Sequence, residues 1–341
     1  MKKTFGISAI ACVLALTAAT AAEARDQIRI VGSSTVFPFS TAVAEQFGKT
    51  SDFATPVVES TGTGGGFKLF CAGVGVDHPD ISNASRAIKD SEIENCAANG
   101  VTEITEVKIG YDGIVLANSK ATDQLDLTRE QIFLALAKTV PQNGTLVPNP
   151  YVNWSDIDAS LPNTKIEVLG PPPTSGTRDA FVELVMEHAC GSFAEIEALE
   201  GDAKKAACLT MREDGVFVEA GENDNLIVQK LDANPTALGI FGFSFLDQNS
   251  DKIQGSMIEG VAPEFDAISD GSYPVSRSLF FYVKNAHVGV VPGIEEFVEE
   301  FVSDDASGED GYLADKGLIP LTEDEHEAVM ETATSLTPMG S

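Results

Sequence analysis

The chain has 341 residues and a formal net charge of −30 at pH 7, with 52 acidic against 22 basic side chains. So acidic a surface repels nucleic acid and anionic membranes, and we expect neither as a partner. A chain of this length usually folds as one large domain or as two.

The first 24 residues have the pattern of a cleavable secretory signal. Lys2 and Lys3 precede an apolar run at 7–19, which is too short to span a bilayer, and the segment closes on Ala-Glu-Ala at 22–24. Cys12 lies inside the run, and we interpret it as part of the signal rather than as a site of lipid attachment. The sequence therefore predicts a signal peptide at 1–24 and export to the periplasm.

Four cysteines remain beyond the signal: Cys71, Cys96, Cys190 and Cys208. An even number in an exported chain favours two disulfide bonds. The sequence alone does not fix the pairing, although the local pairs Cys71–Cys96 and Cys190–Cys208 would each close a short loop. The cysteines lack the close spacing of metal ligands and the chain has four histidines, so we expect no metal site and no cofactor.

Short apolar segments alternate with amphipathic ones along the chain, which is typical of an α/β fold. No internal repeat is evident. Residues with helical spacing predict helices at 38–47 and 177–189. The predicted strands are 28–31, 56–59, 104–109, 114–117, 165–169, 238–241 and 279–283.

Three of these strands run into segments rich in serine, threonine and glycine, each followed by a helix. The segments read GSSTVFP at 32–38, TGTGGG at 61–66 and TSGT at 174–177. The first N–H groups of a helix lack internal partners and carry the positive end of its dipole. Glycine lets an anion approach the backbone, and hydroxyls add further donors. Three such segments that converge on one point would surround a tetrahedral anion.

Each segment taken alone is also typical of an ordinary N-cap or turn. None is a nucleotide-binding loop, because Lys68 is followed by Leu69 rather than Ser or Thr and the G-x-G-x-x-G spacing is missing. The repetition of one arrangement at three places is what indicates an anion site.

The same three segments resemble the anion-binding segments of phosphate-binding proteins of the Pst uptake system, in that family's order. The segments at 81–86, 111–113, 223–225 and 235–242 resemble the family as well. The resemblance implies a type II periplasmic binding protein with two domains, two crossover strands and a ligand cleft between the domains. It places domain I at 25–111 with 271–341, and domain II at 112–270.

The resemblance also implies the residues that contact the anion. They are Ser34, Thr35 and the backbone of Val36 in the first segment, Thr63 in the second, and Ser175, Gly176 and Thr177 in the third.

The chain departs from the family at two charged positions. Some members have an aspartate where this chain has Arg86, and an arginine where it has Pro171. We expect the Arg86 guanidinium to grip the anion bidentately, with a surface or interdomain salt bridge as its alternative role. Arg178 could share the task.

The missing aspartate leaves the choice of ligand open. Hydrogen phosphate carries a proton that needs an acceptor, whereas sulfate carries none, so a carboxylate in the pocket would favour phosphate. Asp112 is the candidate acceptor, and a turn residue in the hinge beside Gly113 is its alternative role.

The sequence thus predicts a monomeric periplasmic receptor that captures inorganic phosphate and delivers it to an inner-membrane ABC permease. We expect no catalytic residues, because the chain has neither a G-x-S-x-G nor an H-E-x-x-H motif. The alternatives are a receptor for sulfate or another tetrahedral oxyanion, and a secreted phosphatase.

Overall fold

The computed structural model describes residues 25–173, 175–220 and 224–340. The predicted signal peptide at 1–24 lies outside the described residues. The strands are β1 (Arg29–Gly32), β2 (Val57–Ser60), β3 (Ile81–Ala84), β4 (Ile104–Ser119), β5 (Asp126–Leu127), β6 (Thr139–Gln142), β7 (Thr145–Pro148), β8 (Val168–Gly170), β9 (Phe217–Glu219), β10 (Leu238–Gly242), β11 (Ile253–Gly255), β12 (Met257–Ile258) and β13 (Ser276–Lys284).

The helices are α1 (Phe37–Thr50), α2 (Thr63–Phe70), α3 (Asp90–Ala98), α4 (Arg129–Leu136), α5 (Trp154–Ile157), α6 (Gly176–Phe181), α7 (His188–Cys190), α8 (Ala194–Glu197), α9 (Gly201–Leu209), α10 (Asp224–Ala233), α11 (Phe243–Gln248), α12 (Phe265–Ser269), α13 (Ile294–Phe301), α14 (Asp304–Ser307) and α15 (Glu323–Thr334). A π-helical segment, Val182–Glu187, joins α6 to α7 without a break, so the predicted helix at 177–189 is confirmed.

One mixed sheet runs through the molecule in the order β2-β1-β3-β13-β4-β10-β8-β9, with β11 also paired to β4. Strand β4 links the two ends of the sheet. Its residues 104–113 pair with β13, and Ile114–Ala117 pair with β10. The sequence predicts two strands here, at 104–109 and 114–117. The structure has one, because the backbone stays extended while its hydrogen-bonding partner changes.

Different hydrophobic clusters pack against the two ends of this sheet, and the two parts of the molecule that they form are called the first and second lobes. The first lobe is built on β1–β3 and β13. There the Phe47 ring of α1 packs edge-on against the Phe297 ring, with 5.6 Å between the ring centres, and the ring centres of Phe281 and Phe301 lie 4.9 Å apart. The second lobe is built on β8–β11. Along β4, Ile109 belongs to the first core and Ile114 to the second.

Both local disulfide pairings are confirmed. Cys71, directly after α2, is bonded to Cys96 of α3, and Cys190 at the end of α7 is bonded to Cys208 of α9. Each bond therefore joins neighbouring helices within one lobe. No helix in the described part of the chain is long and apolar enough to cross a membrane.

Strand β3 has no counterpart among the predicted strands. Ile81–Ala84 is fully buried between β1 and β13, yet Ser82 and Asn83 interrupt the apolar pattern that would signal a buried strand. The β3 strand thus exists because of its neighbours in the sheet rather than because of its own composition.

The packing around Phe281 yields a test of the first-lobe core. Phe281→Ala would remove a fully buried ring that packs on Phe301, and we expect it to lower the free energy of unfolding by about 3–5 kcal/mol. Val290→Ala, at a side chain that is 51% exposed, is the matched control and should change the free energy by less than about 0.5 kcal/mol. Urea denaturation followed by circular dichroism measures both. If both variants lost the same unfolding free energy, the assignment of Phe281 to the first-lobe core would be wrong.

Candidate functional site

Three parallel strands of the first lobe end at the same edge of the sheet. Strand β1 pairs in parallel with β2 on one side and with β3 on the other. The residues that follow them, 33–36, 61–63 and 85–86, therefore emerge side by side. The carboxyl edge of a parallel sheet is where ligands of open α/β proteins commonly bind.

The first two segments lie close together because α2 and β1 are in contact through two glycines, which have no side chains to separate them. Gly66 of α2 lies against Gly32 of β1, so that a side chain on Gly66 would come within 2.5 Å of the Gly32 Cα atom. The Ser33 N–H donates to the Asn83 carbonyl at 2.9 Å, which fixes the first segment to the end of β3. Local sequence and close packing together place the start of α2 beside the segment that leads into α1.

The third segment comes from the second lobe, where α6 begins at Gly176. A side chain on Gly176 would lie 3.1 Å from the Ser34 carbonyl oxygen and 3.2 Å from the Thr35 Cα atom. A side chain at this position would therefore push the first segment and α6 apart by a few tenths of an ångström, and glycine lets them meet without that shift. The structure thus brings the third predicted segment against the first.

A cavity of about 260 Å³ lies where these segments meet. The residues that line it are Ser33, Ser34, Thr35, Gly62, Thr63, Gly64, Ser85, Arg86, Asp179 and Glu183. Four predicted site residues, Ser34, Thr35, Thr63 and Arg86, are in this set. The other predicted residues are not in this set. Val36 is fully buried, Gly176 lies against the first segment with Ser175 and Thr177 on either side of it, and Asp112 is paired with Arg277.

Three hydroxyl groups of the cavity wall, those of Thr35, Thr63 and Ser85, have hydrogen-bonding partners within the protein. The Ser85 N–H donates to Thr63 Oγ1 at 3.1 Å, and the Thr63 and Ser85 hydroxyls lie 3.1 Å apart. Arg277 Nη2 donates to Thr35 Oγ1 at 2.7 Å. Because these oxygens are fixed by other groups, the cavity has a defined set of hydroxyl positions before any ligand enters.

Arg86 reaches the cavity wall while it is paired with Glu92. Two parallel hydrogen bonds of 2.9 Å join its guanidinium to the two carboxylate oxygens, and the side chain lies 5.7 Å from the centre of the Phe67 ring. The hydrogen bond to Glu92 raises the pKa of Arg86 above its ordinary value. The salt-bridge role is thus present in this structure, and the same guanidinium also lines the cavity.

The sequence reasoning missed Arg277, which lies at the base of the cleft with a side chain only 8% exposed. Its guanidinium contacts Thr35, the Glu183 carboxylate at 2.5 Å and the Asp112 carboxylate at 3.4 Å. In the sequence, the signal is a basic residue between Ser276 and Ser278 that directly precedes the apolar run 279–283. Such a charge inside a buried strand requires acidic partners.

Asp112 is a partner of Arg277 in this structure. Burial raises the pKa of Asp112 above its ordinary value; the Arg277 charge opposes that rise, and the nearby Glu183 carboxylate adds to it. Asp112 pairs with Arg277 across strands β4 and β13, at the point where β4 passes between the lobes.

Arg178 points away from the cavity. Its Nη1 donates to the Pro171 carbonyl at 3.2 Å, its guanidinium lies 4.5 Å from the centre of the Phe217 ring, and burial lowers its pKa. It lines a neighbouring groove of the second lobe. No cluster of His, Cys, Asp and Glu able to hold a metal ion occurs within residues 25–173, 175–220 and 224–340.

Known proteins share this architecture. Residues 17–305 match the family model of the PBP superfamily domain. A crystal structure of a possible phosphate binding protein from Planctomyces limnophilus superposes with a TM-score of 0.74 at 27% identity, covering 91% of this chain and 98% of that one. An ABC-type phosphate transport receptor from Vibrio cholerae shares the fold with a TM-score of 0.58 at 20% identity, over 86% and 100% of the two chains.

The chain belongs to the PBP superfamily, and the predicted two-domain α/β fold of a periplasmic binding protein is confirmed. Among its relatives, phosphate-binding protein PstS of Staphylococcus saprophyticus is 31% identical over 333 residues, which cover 92% of this chain and 91% of the relative. Protein SphX of Synechococcus elongatus is 31% identical over 258 residues, 74% of this chain and 66% of that protein. The resemblance to Pst phosphate-binding proteins is therefore confirmed.

The buried Arg277–Asp112 pair yields a stability test with a definite dependence on pH. Arg277→Met would leave the Asp112 carboxylate buried without its cation, and we expect a loss of about 3–5 kcal/mol in unfolding free energy near neutral pH. A carboxyl whose pKa is higher in the folded than in the unfolded state binds its proton more tightly when folded. Acidification should therefore relieve the penalty in the variant.

The measurement is urea denaturation of both proteins at about pH 7.5 and about pH 5. The difference in unfolding free energy between wild type and Arg277→Met should shrink at the lower pH. A penalty of the same size at both values would show that Asp112 is not the group left unpaired.

Proposed function

We propose that this protein captures inorganic phosphate in the periplasm and delivers it to an inner-membrane ABC permease, acting as a monomer and without catalysis. The observation that carries the proposal is the cavity at the carboxyl ends of β1–β3, whose wall is rich in hydroxyl groups and which the start of α6 meets from the opposite lobe. The likeness to PstS proteins supports phosphate as the ligand.

The contacts available are sufficient for tight binding. Micromolar affinity requires about 8 kcal/mol, and a hydrogen bond to a charged group contributes roughly 1.5–3 kcal/mol. We propose that Ser34, Thr35 and the Val36 N–H donate from the first segment and Thr63 from the second. Arg86 adds its guanidinium, and Ser175, Gly176 and Thr177 contribute from the second lobe.

Closure of the cleft would involve two domains, residues 25–111 with 271–341 and residues 112–270. The change of hydrophobic core along β4, between Ile109 and Ile114, supports the boundary near residue 111. The chain passes between the lobes on β4 and again before β13, and Ile319 is hydrogen-bonded to Tyr111 beside the crossing. Hinge motion about these strands would bring the third segment onto a ligand held by the first two.

The composition of the cavity supports binding rather than hydrolysis. Its lining offers no histidine or cysteine among the described residues, and an unactivated serine or threonine is a weak nucleophile. The signal-like segment at 1–24 supports export. A secreted phosphatase would be revealed by turnover of a chromogenic phosphate ester.

Calorimetry on protein freed of ligand by unfolding and refolding tests the proposal directly. We expect phosphate to bind with micromolar or higher affinity, and sulfate to bind far more weakly. Sulfate binding without phosphate binding would assign the cavity to another oxyanion. If neither phosphate nor sulfate bound, the three segments would have no role beyond capping their helices, and the proposal would be refuted.

A matched pair of threonine variants tests the site itself. Thr63→Val removes a hydroxyl that lines the cavity, and loss of one hydrogen bond to an anion should weaken phosphate binding by roughly 10-fold to 100-fold. Thr61→Val makes the same chemical change two residues earlier, at an exposed position outside the lining. Equal affinities in the two variants would refute the assignment of Thr63.

A further inference from the structure

The second lobe contains another cavity, remote from the cleft. Its volume is about 320 Å³, at the small end of the range of about 300–1,000 Å³ typical of ligand cavities. It lies where β4 ends and β10 begins, and it shares no lining residue with the cavity at the carboxyl ends of β1–β3. Asn118, which lines it, follows Asp112 on the same strand at a distance of about 20 Å, given a rise of about 3.3 Å per residue.

A buried side-chain oxygen of Asn118 is the feature that points to a ligand. Asn118 is 3% exposed, and its Nδ2 donates to Thr122 Oγ1 at 2.8 Å and to the Asp123 carbonyl at 3.0 Å. Exchanging the amide nitrogen and oxygen would set oxygen against that carbonyl, so Oδ1 is directed away from it. Asn118 Oδ1 has no hydrogen-bonding partner among the described residues. Because a buried acceptor left unpaired costs about 1–3 kcal/mol, a donor supplied from the cavity would stabilise this arrangement.

The other polar groups around the cavity also favour a ligand that donates hydrogen bonds. Thr122 Oγ1 donates to the Pro235 carbonyl at 2.9 Å, and Thr236 Oγ1 donates to Asn234 Oδ1 at 3.2 Å. Both hydroxyls therefore present lone pairs rather than protons to a ligand. The Asp123 side chain is exposed and lines the cavity as well, and the described lining contains no lysine, arginine or histidine.

We propose that this cavity binds a small organic cation with a primary ammonium group and a short apolar body. An ammonium group has three donors and no acceptor, so it matches Asn118 Oδ1, the hydroxyl lone pairs and the Asp123 carboxylate. The apolar body would lie against Leu125, Trp154 and Pro162, which also line the cavity. The net charge of −30 favours the approach of a cation to this protein.

Trp154 makes the cavity directly observable, because it is the only tryptophan in the chain. The test is a fluorescence titration with butylammonium chloride, with sodium chloride as the ionic-strength control, and calorimetry detects any binding that leaves the fluorescence unchanged. A dissociation constant of about 1 mM corresponds to about 4 kcal/mol, and hydrogen bonds to charged groups contribute roughly 1.5–3 kcal/mol each. We therefore expect saturable binding with millimolar or higher affinity.

The matched ligand control is butyltrimethylammonium chloride. It keeps the charge and the apolar chain but has no N–H donor, so it should bind at least about tenfold more weakly. If the two cations bound equally well, the assigned ligand class would be wrong. If butylammonium produced neither a saturable fluorescence change nor heat, the inference would be overturned.

Three variants test the location of the site. Asp123→Asn removes the carboxylate at an exposed position and should weaken butylammonium binding by about tenfold. Ala121→Phe places a ring at an exposed position of the lining and should abolish binding. Asp232→Asn is the matched control, because Asp232 is also exposed on the second lobe but lies outside the lining, and its affinity should equal that of the wild type.

Equal butylammonium affinity in all three variants would show that the cation binds elsewhere, which would also overturn the inference. Phosphate affinity should be the same in all three, because the two cavities share no lining residue. The outcome for this cavity is therefore independent of the outcome for the proposed function.

Discussion

The cleft depends on one buried cation. Arg277 stands on β13 and contacts Thr35 of the first segment, Asp112 of the shared strand β4 and Glu183 of the opposite lobe. A charge that is removed from water must be paired and hydrogen-bonded to be tolerated. The positions of these three partners are therefore not independent, because a shift of any one of them would leave the guanidinium or a carboxylate unsatisfied.

The acidity of the chain is compatible with an anion site because the two act over different distances. Exposed charges are screened beyond about 10 Å at 0.1 M salt, whereas the cavity is governed by groups that touch its contents. The carboxylates that do approach the cavity, Asp179 and Glu183, belong to one helix of the second lobe, and hydroxyls and Arg86 form the facing wall. In the proposed function, the local arrangement of donors, rather than the net charge of −30, would decide which anion the cleft accepts.

The parts of the site that the sequence predicts well are those built from contiguous residues. In the segments at 32–38 and 61–66, the hydroxyl groups, the glycines and the start of the helix lie within a few residues of each other. The pattern of residues in each segment is therefore enough to point to Thr35 and Thr63, which both line the cavity. The disulfides are similarly local, with partners 25 and 18 residues apart. The α/β alternation gives the fold class for the same reason.

The remaining features depend on register between distant strands. Asp112 and Arg277 are 165 residues apart and meet only because β4 and β13 pair as they do. Glu183 has the appearance of an ordinary exposed helix residue until α6 is placed against the first segment. The extended backbone across 110–113 likewise depends on partners that change along β4, and no pattern within those four residues could indicate one strand instead of two.

The position of β13 has a consequence for the order in which the chain can assemble. The first-lobe sheet runs β2-β1-β3-β13-β4, so a gap remains between β3 and β4 until residue 284 is available. The strands β8–β11 of the second lobe are all complete by residue 255. A chain that emerges from its N-terminus can therefore close the later lobe first, while its earliest strands wait for a segment near the end. The strands behind the hydroxyl-bearing half of the cleft can thus all be in place only after those of the other half are available.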